Sequence, residues 1–210
     1  MMRAEYSEVM WDWNGTLFDD AWLCVEAMNG LLRCRGLPEL TPERYADIFD
    51  FPVERYYRRL GFDWSRETFE AVGLEFMRVY EARRLECRLR LGAVEALARW
   101  RRRGARQHLI SGYRQDTLDE LVARYGVREW FDDVVGAEDV FARGKLDLGA
   151  RWREARGAGA GPRLVIGDTV HDFEMARVIG ADCVLLPCGH NSLRRLAACG
   201  TTLRSSLDEL

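Results

Sequence analysis

The sequence predicts an α/β fold in which a parallel sheet forms the core and a helical cap is inserted into it. Strand-like apolar runs recur along the chain, each followed by a helical pattern, which is the alternation expected of a parallel sheet with crossover helices. Residues 20–88 break this rhythm, because they hold several helix patterns and no convincing strand. At 210 residues and 48% hydrophobic content, the chain is long enough for one core domain carrying one insertion.

Five short apolar runs fit buried strands. Each is four to six residues long and is bounded by turn residues or by a charged residue. Glycines fall where a left-handed residue would end the intervening helices, namely at Gly104, Gly126 and Gly180. The predicted strands are EVMWD (8–12), RQHLIS (106–111), DVVG (133–136), RLVIGD (163–168) and DCVLL (182–186).

The interrupting segment is predicted to be helical. Residues 21–32 carry apolar residues at helical spacing, and Thr41-Pro42 reads as an N-cap followed by proline in the first turn. Ser65 is expected to open a longer helix that carries Phe69 and Phe76. The domain division that follows is a core of residues 1–19 and 89–210 and a helical cap of residues 20–88.

Composition narrows the class of partners and the cell compartment. Thirty arginines and one lysine are offset by acidic residues to a net charge of −3, so nucleic acid is not an expected partner. No apolar window has the length of a membrane span, and the six cysteines form no CxxC pair and follow no secretory signal. We therefore expect a cytoplasmic protein with reduced thiols and no membrane partner. The sequence does not indicate the oligomeric state.

Polar residues suited to phosphate chemistry follow the predicted strands. In open α/β sheets, ligands bind outside the carboxyl ends of the strands. The first strand ends in Asp12, the second in Ser111-Gly112 and the fourth in Asp168, with Asp172 one helical turn later. Lys145 follows the third strand, just ahead of a helix. Carboxylates, a lysine, a hydroxyl and glycine amides at one edge predict a site for a divalent cation and a phosphate group.

Four segments in this order resemble a known set of motifs. DWNGTLFD, LISG, GKLD and VIGDTVHD are similar to the four motifs of the haloacid dehalogenase superfamily, in its branch with a helical cap after the first motif. The resemblance covers nearly the whole chain. It implies a Rossmann-like core, a mobile cap, Mg²⁺ and phosphoryl transfer through an aspartyl-phosphate.

The resemblance also implies roles for individual residues. Asp12 would be the nucleophile, and Ser111, Gly112 and Lys145 would bind the transferring phosphoryl group. Thr16 lies where the family's first motif has its threonine, and we expect it to contribute to phosphate binding. The residues expected at the metal are Asp12, Asp168, Asp172 and, through its backbone carbonyl, Asn14.

Asn14 departs from the family pattern. Phosphatases of the superfamily usually have an aspartate here, which protonates the leaving group and then deprotonates water, whereas an amide can do neither. General acid/base catalysis typically contributes roughly 10²- to 10⁴-fold in rate. Three interpretations stay open. The leaving group needs little protonation, as in an acyl phosphate or aryl ester; His171 or His190 supplies the proton; or catalysis has been lost.

The cap is expected to set substrate specificity by closing over the site. Arg55 and Arg59 are candidates to bind a second anionic group, and Tyr56 and Tyr57 to line the pocket. The alternative is that these arginines lie on a solvated helix face. Similarity to the phosphoglycolate phosphatase branch suggests a small phosphorylated carboxylate or sugar as substrate. The expected function is thus a Mg²⁺-dependent phosphatase, the alternative being a phosphometabolite-binding protein with little or no turnover.

Overall fold

The structure, a computed structural model, describes residues 6–138, 145–156 and 161–210. In these ranges six parallel strands form one sheet in the order β5-β4-β1-β6-β7-β8, and β2 and β3 form a separate antiparallel pair. All five predicted strands belong to the sheet, so the predicted α/β fold is confirmed. The strands are β1 Glu8–Trp11, β2 Phe18–Asp19, β3 Arg88–Leu89, β4 Arg106–Arg114, β5 Asp133–Ala137, β6 Arg163–Gly167, β7 Asp182–Leu185 and β8 Thr202–Leu203.

Helices fill the connections between the strands. The first four lie between β2 and β3, in the interval predicted to be helical. The fifth lies between β3 and β4, and the last four follow sheet strands as crossovers. None of the helices within the described ranges is long and apolar enough to cross a membrane. The helices are α1 Ala21–Cys34, α2 Pro42–Ile48, α3 Val53–Leu60, α4 Phe69–Arg83, α5 Ala93–Arg102, α6 Gln115–Arg124, α7 Lys145–Arg156, α8 Val170–Ile179 and α9 Leu193–Ala197.

The central strand β1 is buried on both faces. It pairs in parallel with β4 and β6, with Trp11 opposite Leu109 on one side and Ile166 on the other. Every residue of β1 is buried, which explains why the strand reads as a continuous apolar run rather than an alternating one. The indole nitrogen of Trp11 donates to the Gln107 side chain at 2.9 Å, so its one polar atom is satisfied. Asp12 directly follows this buried strand.

A short antiparallel ribbon joins the helical insertion to the sheet. Phe18 pairs with Leu89 and Asp19 with Arg88, where the chain enters and leaves residues 20–88. Arg90 reinforces the junction by donating to the Asp19 carboxylate at 2.9 Å and to the backbone carbonyl of Gly15 at 3.0 Å. The sequence predicted no strand here, because two-residue strands leave no periodicity to detect.

The start of the fourth helix differs from the prediction. Thr68, not Ser65, is the N-cap, and its hydroxyl accepts a hydrogen bond from the amide of Ala71. The Ser65 hydroxyl instead donates to Asp63 at 2.6 Å in the preceding turn. Both residues are good N-caps, so local preference did not choose between them.

Candidate active site

Strand ends bring the predicted residues to one edge of the sheet. Asp12 follows β1 and Asp168 follows β6, and the two strands are paired neighbours. Ser111 lies within β4 where the pairing with β5 shifts register between Ile110 and Arg114, an irregularity that re-aims side chains next to many active sites. Asp12, Ser111 and Gly112 all line one cavity.

Three buried carboxylates and one ammonium form the polar centre of this edge. Asp12, Asp168 and Asp172 each offer an oxygen within 4.8 Å of the others. The ammonium of Lys145, the first residue of α7, lies 2.5 Å from an oxygen of Asp12 and 2.5 Å from an oxygen of Asp172. Lys145 therefore bridges Asp12, the predicted nucleophile, and Asp172, one of the residues predicted at the metal.

Asp172 is held by the first turn of α8. Its second carboxylate oxygen accepts hydrogen bonds from the backbone amides of Asp168 and Thr169 and from the Thr169 hydroxyl. The Thr169 hydroxyl in turn faces the Asp172 amide, completing a capping box. Part of Asp172 is thus committed to the helix start, which leaves its other oxygen for Lys145.

Asp168 is fixed by two donors and by close packing. One oxygen accepts from the Thr16 hydroxyl at 2.7 Å and the other from the His190 amide at 2.6 Å. A Cβ on Gly15 or Gly189 would lie 2.3 or 2.1 Å from an Asp168 oxygen, so only glycine fits at either place. The structure does not place Thr16 among the residues that line the cavity; its buried hydroxyl positions Asp168 instead.

Burial and mutual repulsion shape the ionisation of this cluster. Burial and the charge of Asp172 raise the pKa of Asp12 well above its ordinary value. For Asp172, burial opposes ionisation, but the charge of Lys145 prevails and lowers its pKa. Burial alone would lower the pKa of Lys145, whereas the charges of Asp12 and Asp172 raise it. The cluster carries more negative charge than its lysine can neutralise.

This excess charge fits a divalent cation. Mg²⁺ prefers hard oxygen ligands and is usually held by one or two carboxylates together with waters and phosphate oxygens. Asp12, Asp168 and Asp172 supply such oxygens, and these three carboxylates outnumber the one ammonium in contact with them, that of Lys145. The donor set therefore suits Mg²⁺.

Asn14 is held by a carboxylate that the sequence reading had not singled out. Its amide nitrogen donates to Asp20 at 2.8 Å and to the Tyr80 hydroxyl at 3.0 Å, and the Tyr80 hydroxyl donates to the same Asp20 oxygen at 2.7 Å. Its amide oxygen lies 3.5 Å from the Ser111 hydroxyl. The amide group is thus matched to a carboxylate acceptor, which a second aspartate could match only by being protonated.

Asp20 also pairs with His190. The ring nitrogen Nε2 of His190 lies 3.5 Å from Asp20, and Nδ1 lies 2.8 Å from the Tyr45 hydroxyl. Burial would lower the pKa of His190, but the charge of Asp20 outweighs this and raises it to about 9. The charge of His190 likewise overcomes burial and lowers the pKa of Asp20. This buried ion pair lines the same cavity as Asp12.

The two histidines singled out from sequence are placed differently. His190 lines the cavity, whereas His171 does not. The ring of His171 stacks on Phe51 at 4.6 Å between centroids, and its Nδ1 lies 3.0 Å from Glu174. Burial lowers the pKa of His171. Of the two, only His190 is in a position to meet a ligand in the cavity.

Beyond the carboxylates the cavity becomes apolar. It encloses about 1050 Å³, including its opening to solvent, between the sheet edge and helices α1 to α4. Most of the lining residues that the insertion contributes are apolar or aromatic. We call six of them the apolar half: Met28, Phe49, Tyr56, Phe69, Phe76 and Met77. Tyr57, predicted to line the pocket together with Tyr56, is also among the lining residues.

The structure does not bring Arg55 and Arg59 to this cavity. Both are exposed on α3, and neither is among the lining residues. Arg59 donates to the carbonyl of Ile48 at 3.0 Å and lies 3.3 Å from the Asp50 carboxylate. The buried face of α3 carries its tyrosines and Leu60 instead, which agrees with the solvated-face interpretation of these arginines.

The chain belongs to the haloacid dehalogenase-like hydrolase family, whose profile matches residues 9–186. This match confirms the resemblance inferred from the four motifs and the prediction of a hydrolase. A search of curated proteins found no significant match.

Solved structures with the same fold include several bacterial proteins. A putative haloacid dehalogenase-like hydrolase from Bacteroides fragilis superposes with a TM-score of 0.81 at 18% identity, covering 97% of this chain and 99% of the other. CbbY from Rhodobacter sphaeroides, solved in complex with phosphate, gives 0.74 at 21% identity and 98% and 96% coverage. A putative phosphoglycolate phosphatase from Lactobacillus delbrueckii subsp. bulgaricus gives 0.75 at 18% identity and 98% and 97% coverage. At identities this low, the structural matches show that the fold is shared and no more.

Proposed function

We propose that this protein is a Mg²⁺-dependent phosphatase that acts on a small phosphomonoester through an aspartyl-phosphate at Asp12. The observation that carries the proposal is the contact of Asp12 with Lys145 at 2.5 Å inside a buried cluster of three carboxylates. The phosphatase name of the structural relative from Lactobacillus delbrueckii agrees with this reaction class. We further propose that α1 to α4 act as the cap. The cytoplasmic location stays a prediction.

The polar centre supplies what phosphate binding requires. Ser111 and Gly112 line the cavity beside Asp12, where a hydroxyl and backbone amides can donate to phosphate oxygens. Lys145 adds a fixed positive charge and orients the Asp12 carboxylate. Mg²⁺ held by Asp12, Asp168 and Asp172 would neutralise phosphate charge. Thr16 contributes by holding Asp168 in place.

The reaction is proposed to proceed in two displacements. An Asp12 oxygen attacks phosphorus, the Asp–O–P bond forms, and the ester P–O bond breaks with its electron pair leaving on the alcohol or phenol oxygen, which takes a proton from solvent. Water then attacks phosphorus, the Asp–O–P bond breaks, and its electron pair returns to the Asp12 carboxylate. The proton of the attacking water passes to the released phosphate or to solvent.

Proton transfer is the demanding part of this scheme. Asn14 is an amide whose nitrogen is committed to Asp20 and Tyr80, so it neither donates nor accepts the proton of the leaving group. Substrates whose leaving group departs without a proton should therefore react fastest. Loss of general acid/base assistance, worth roughly 10²- to 10⁴-fold, would fall on alkyl esters.

The test is phosphate release from an aryl phosphate and a panel of alkyl phosphates, with and without Mg²⁺. We expect release from the aryl phosphate that requires Mg²⁺ and is abolished in Asp12→Asn. Asp147→Asn is a matched control, because Asp147 lies in the exposed first turn of α7 and is not among the cavity-lining residues. Tight phosphate binding with no release from any substrate would instead support a phosphometabolite-binding protein.

A further inference from the structure

The apolar half of the cavity is rich in aromatic rings. Phe49 lies 5.3 Å from Tyr56 between ring centroids in an edge-on arrangement, and Phe76 lies 6.0 Å from Tyr80. Met28 and Met77 add polarisable thioethers to the same wall. Aromatic rings favour edge-to-face and offset contacts with other rings, and methionine sulfur packs well against ring edges. The wall is therefore suited to a flat, apolar group.

Residues 20–88 contribute no cation to the lining of the cavity that could bind an anionic leaving group. Residues 20–88 are all described, and none of their eleven arginines lies among the residues that line the cavity. Several are paired elsewhere: Arg35 lies 2.7 Å from Glu67, and Arg84 lies 2.5 Å from Glu81. The lining arginine on the sheet side, Arg114, is paired with Asp116 at 2.6 Å.

Asn14 also favours an aromatic leaving group. Here the reason is the reactivity of the substrate and not its packing in the cavity. A site without a carboxyl at this position favours leaving groups that are stable as anions. Phenols ionise near pH 10, as tyrosine does, whereas aliphatic alcohols are far weaker acids. An aryl phosphate therefore needs the least proton assistance of the common phosphomonoesters.

We propose that the substrate is an aryl phosphomonoester whose uncharged aromatic ring occupies the apolar half, with its phosphate group at Asp12 and Lys145. This inference rests on the proposed phosphatase function and names its substrate class. It replaces the expected phosphorylated carboxylate or sugar, because the anion-binding arginines on which that expectation depended, Arg55 and Arg59, lie outside the cavity.

Recognition can be measured apart from turnover with phosphonates, whose C–P bond is not hydrolysed by this chemistry. Titration calorimetry with the Mg²⁺-loaded protein would compare benzylphosphonate, methylphosphonate and phosphonoacetate. We expect benzylphosphonate to bind at least about tenfold more tightly than either of the others. Equal or tighter binding of phosphonoacetate would overturn the inference, because that ligand carries a carboxylate in place of the ring.

A charge-insertion variant locates the ring-binding wall. Met77→Lys places an ammonium in the apolar half at a partly exposed position of α4, where its chain can reach solvent while the helix forms. The preference for benzylphosphonate over phosphonoacetate should fall by about tenfold or more. Leu74→Lys is the control, because Leu74 is 56% exposed on the same helix and does not line the cavity. An unchanged preference in a folded Met77→Lys protein would overturn the inference.

Turnover measurements separate this inference from the proposed function. Selective benzylphosphonate binding without phosphate release from phenyl phosphate would refute the phosphatase and leave the aromatic specificity standing. Mg²⁺-dependent release that favours phosphoglycolate over phenyl phosphate would refute the aromatic specificity and leave the phosphatase standing.

Discussion

Restoring the family aspartate at position 14 should by itself harm this protein. In Asn14→Asp a carboxylate replaces the amide nitrogen that donates to Asp20 at 2.8 Å. A hydrogen bond to a charged group is worth about 1.5–3 kcal/mol, and two unit charges about 4 Å apart repel by roughly 4 kcal/mol at an effective dielectric constant near 20. Since His190 and proton uptake relieve part of this repulsion, we expect a loss of about 2–4 kcal/mol at pH 8.

Thermal unfolding of the metal-free protein measures this effect. A loss of that size corresponds to roughly 4–16 °C for a chain of this length. The loss should shrink at pH 5.5, because one of two adjacent carboxyls is then protonated. Asn14→Ala is the control, since it removes the hydrogen bonds of the amide without adding a charge.

The double variant Asn14→Asp/Asp20→Asn exchanges the amide and the carboxylate at constant net charge. We expect its stability to recover most of the single-variant loss, and its activity on alkyl phosphates to exceed wild type by about 10²-fold or more. Equal melting temperatures for wild type and Asn14→Asp at pH 8 would show that a carboxylate at position 14 is not repelled by Asp20. A double variant no more stable than the single one would show the same.

Three further predictions concern residues around this pair. The pKa of His190 is raised from 6.5 to about 9, so the contribution of this residue to stability is complete below pH 6.5 and is lost as the pH rises through 9. Urea unfolding of wild type should show on the order of 3 kcal/mol lost over that pH window. The loss should be far smaller in His190→Gln. Thr16→Val removes the hydroxyl that holds Asp168, so calorimetry should show roughly 10- to 100-fold weaker Mg²⁺ binding, and unchanged affinity would contradict this role. The Tyr56 hydroxyl is buried without a hydrogen-bond partner in the described part of the chain, so Tyr56→Phe should leave the free energy of unfolding unchanged or raise it. Tyr45→Phe loses a 2.8 Å contact with His190 and should lower the free energy of unfolding by about 1 kcal/mol.

The fold could be predicted because its strands are buried and its motifs are local. β1 is buried along its whole length and apolar from Val9 to Trp11, and Asp12 follows it directly, so the strand and the site residue share one segment of sequence. The ribbon of β2 and β3 was missed because each strand has two residues, and its pairing joins positions some seventy residues apart. Pairings between distant short segments leave no periodic trace.

The candidate site was predictable where a strand end, or the start of a helix that follows a strand, carries the residue. Asp20 was missed, because its role depends on contacts from Tyr80 and His190, which lie far away in sequence. The exposure of Arg55 and Arg59 could have been anticipated, because Tyr56 and Leu60, four residues apart, mark a different, buried face of α3. The charged positions of an amphipathic helix are a poor guide to a binding site when that helix also packs.

In the proposed reaction, Asp12 carries the phosphoryl group during turnover. Wild type and Asp12→Asn would be mixed with phenyl phosphate and Mg²⁺, quenched in acid within the first turnover, digested and analysed by mass spectrometry. Acid preserves an acyl phosphate well enough for the modified peptide to be detected. We expect one added phosphoryl group on the wild-type peptide that contains Asp12, and none in the variant. Phosphate release by wild type with no modified peptide, or modification at another residue, would contradict it.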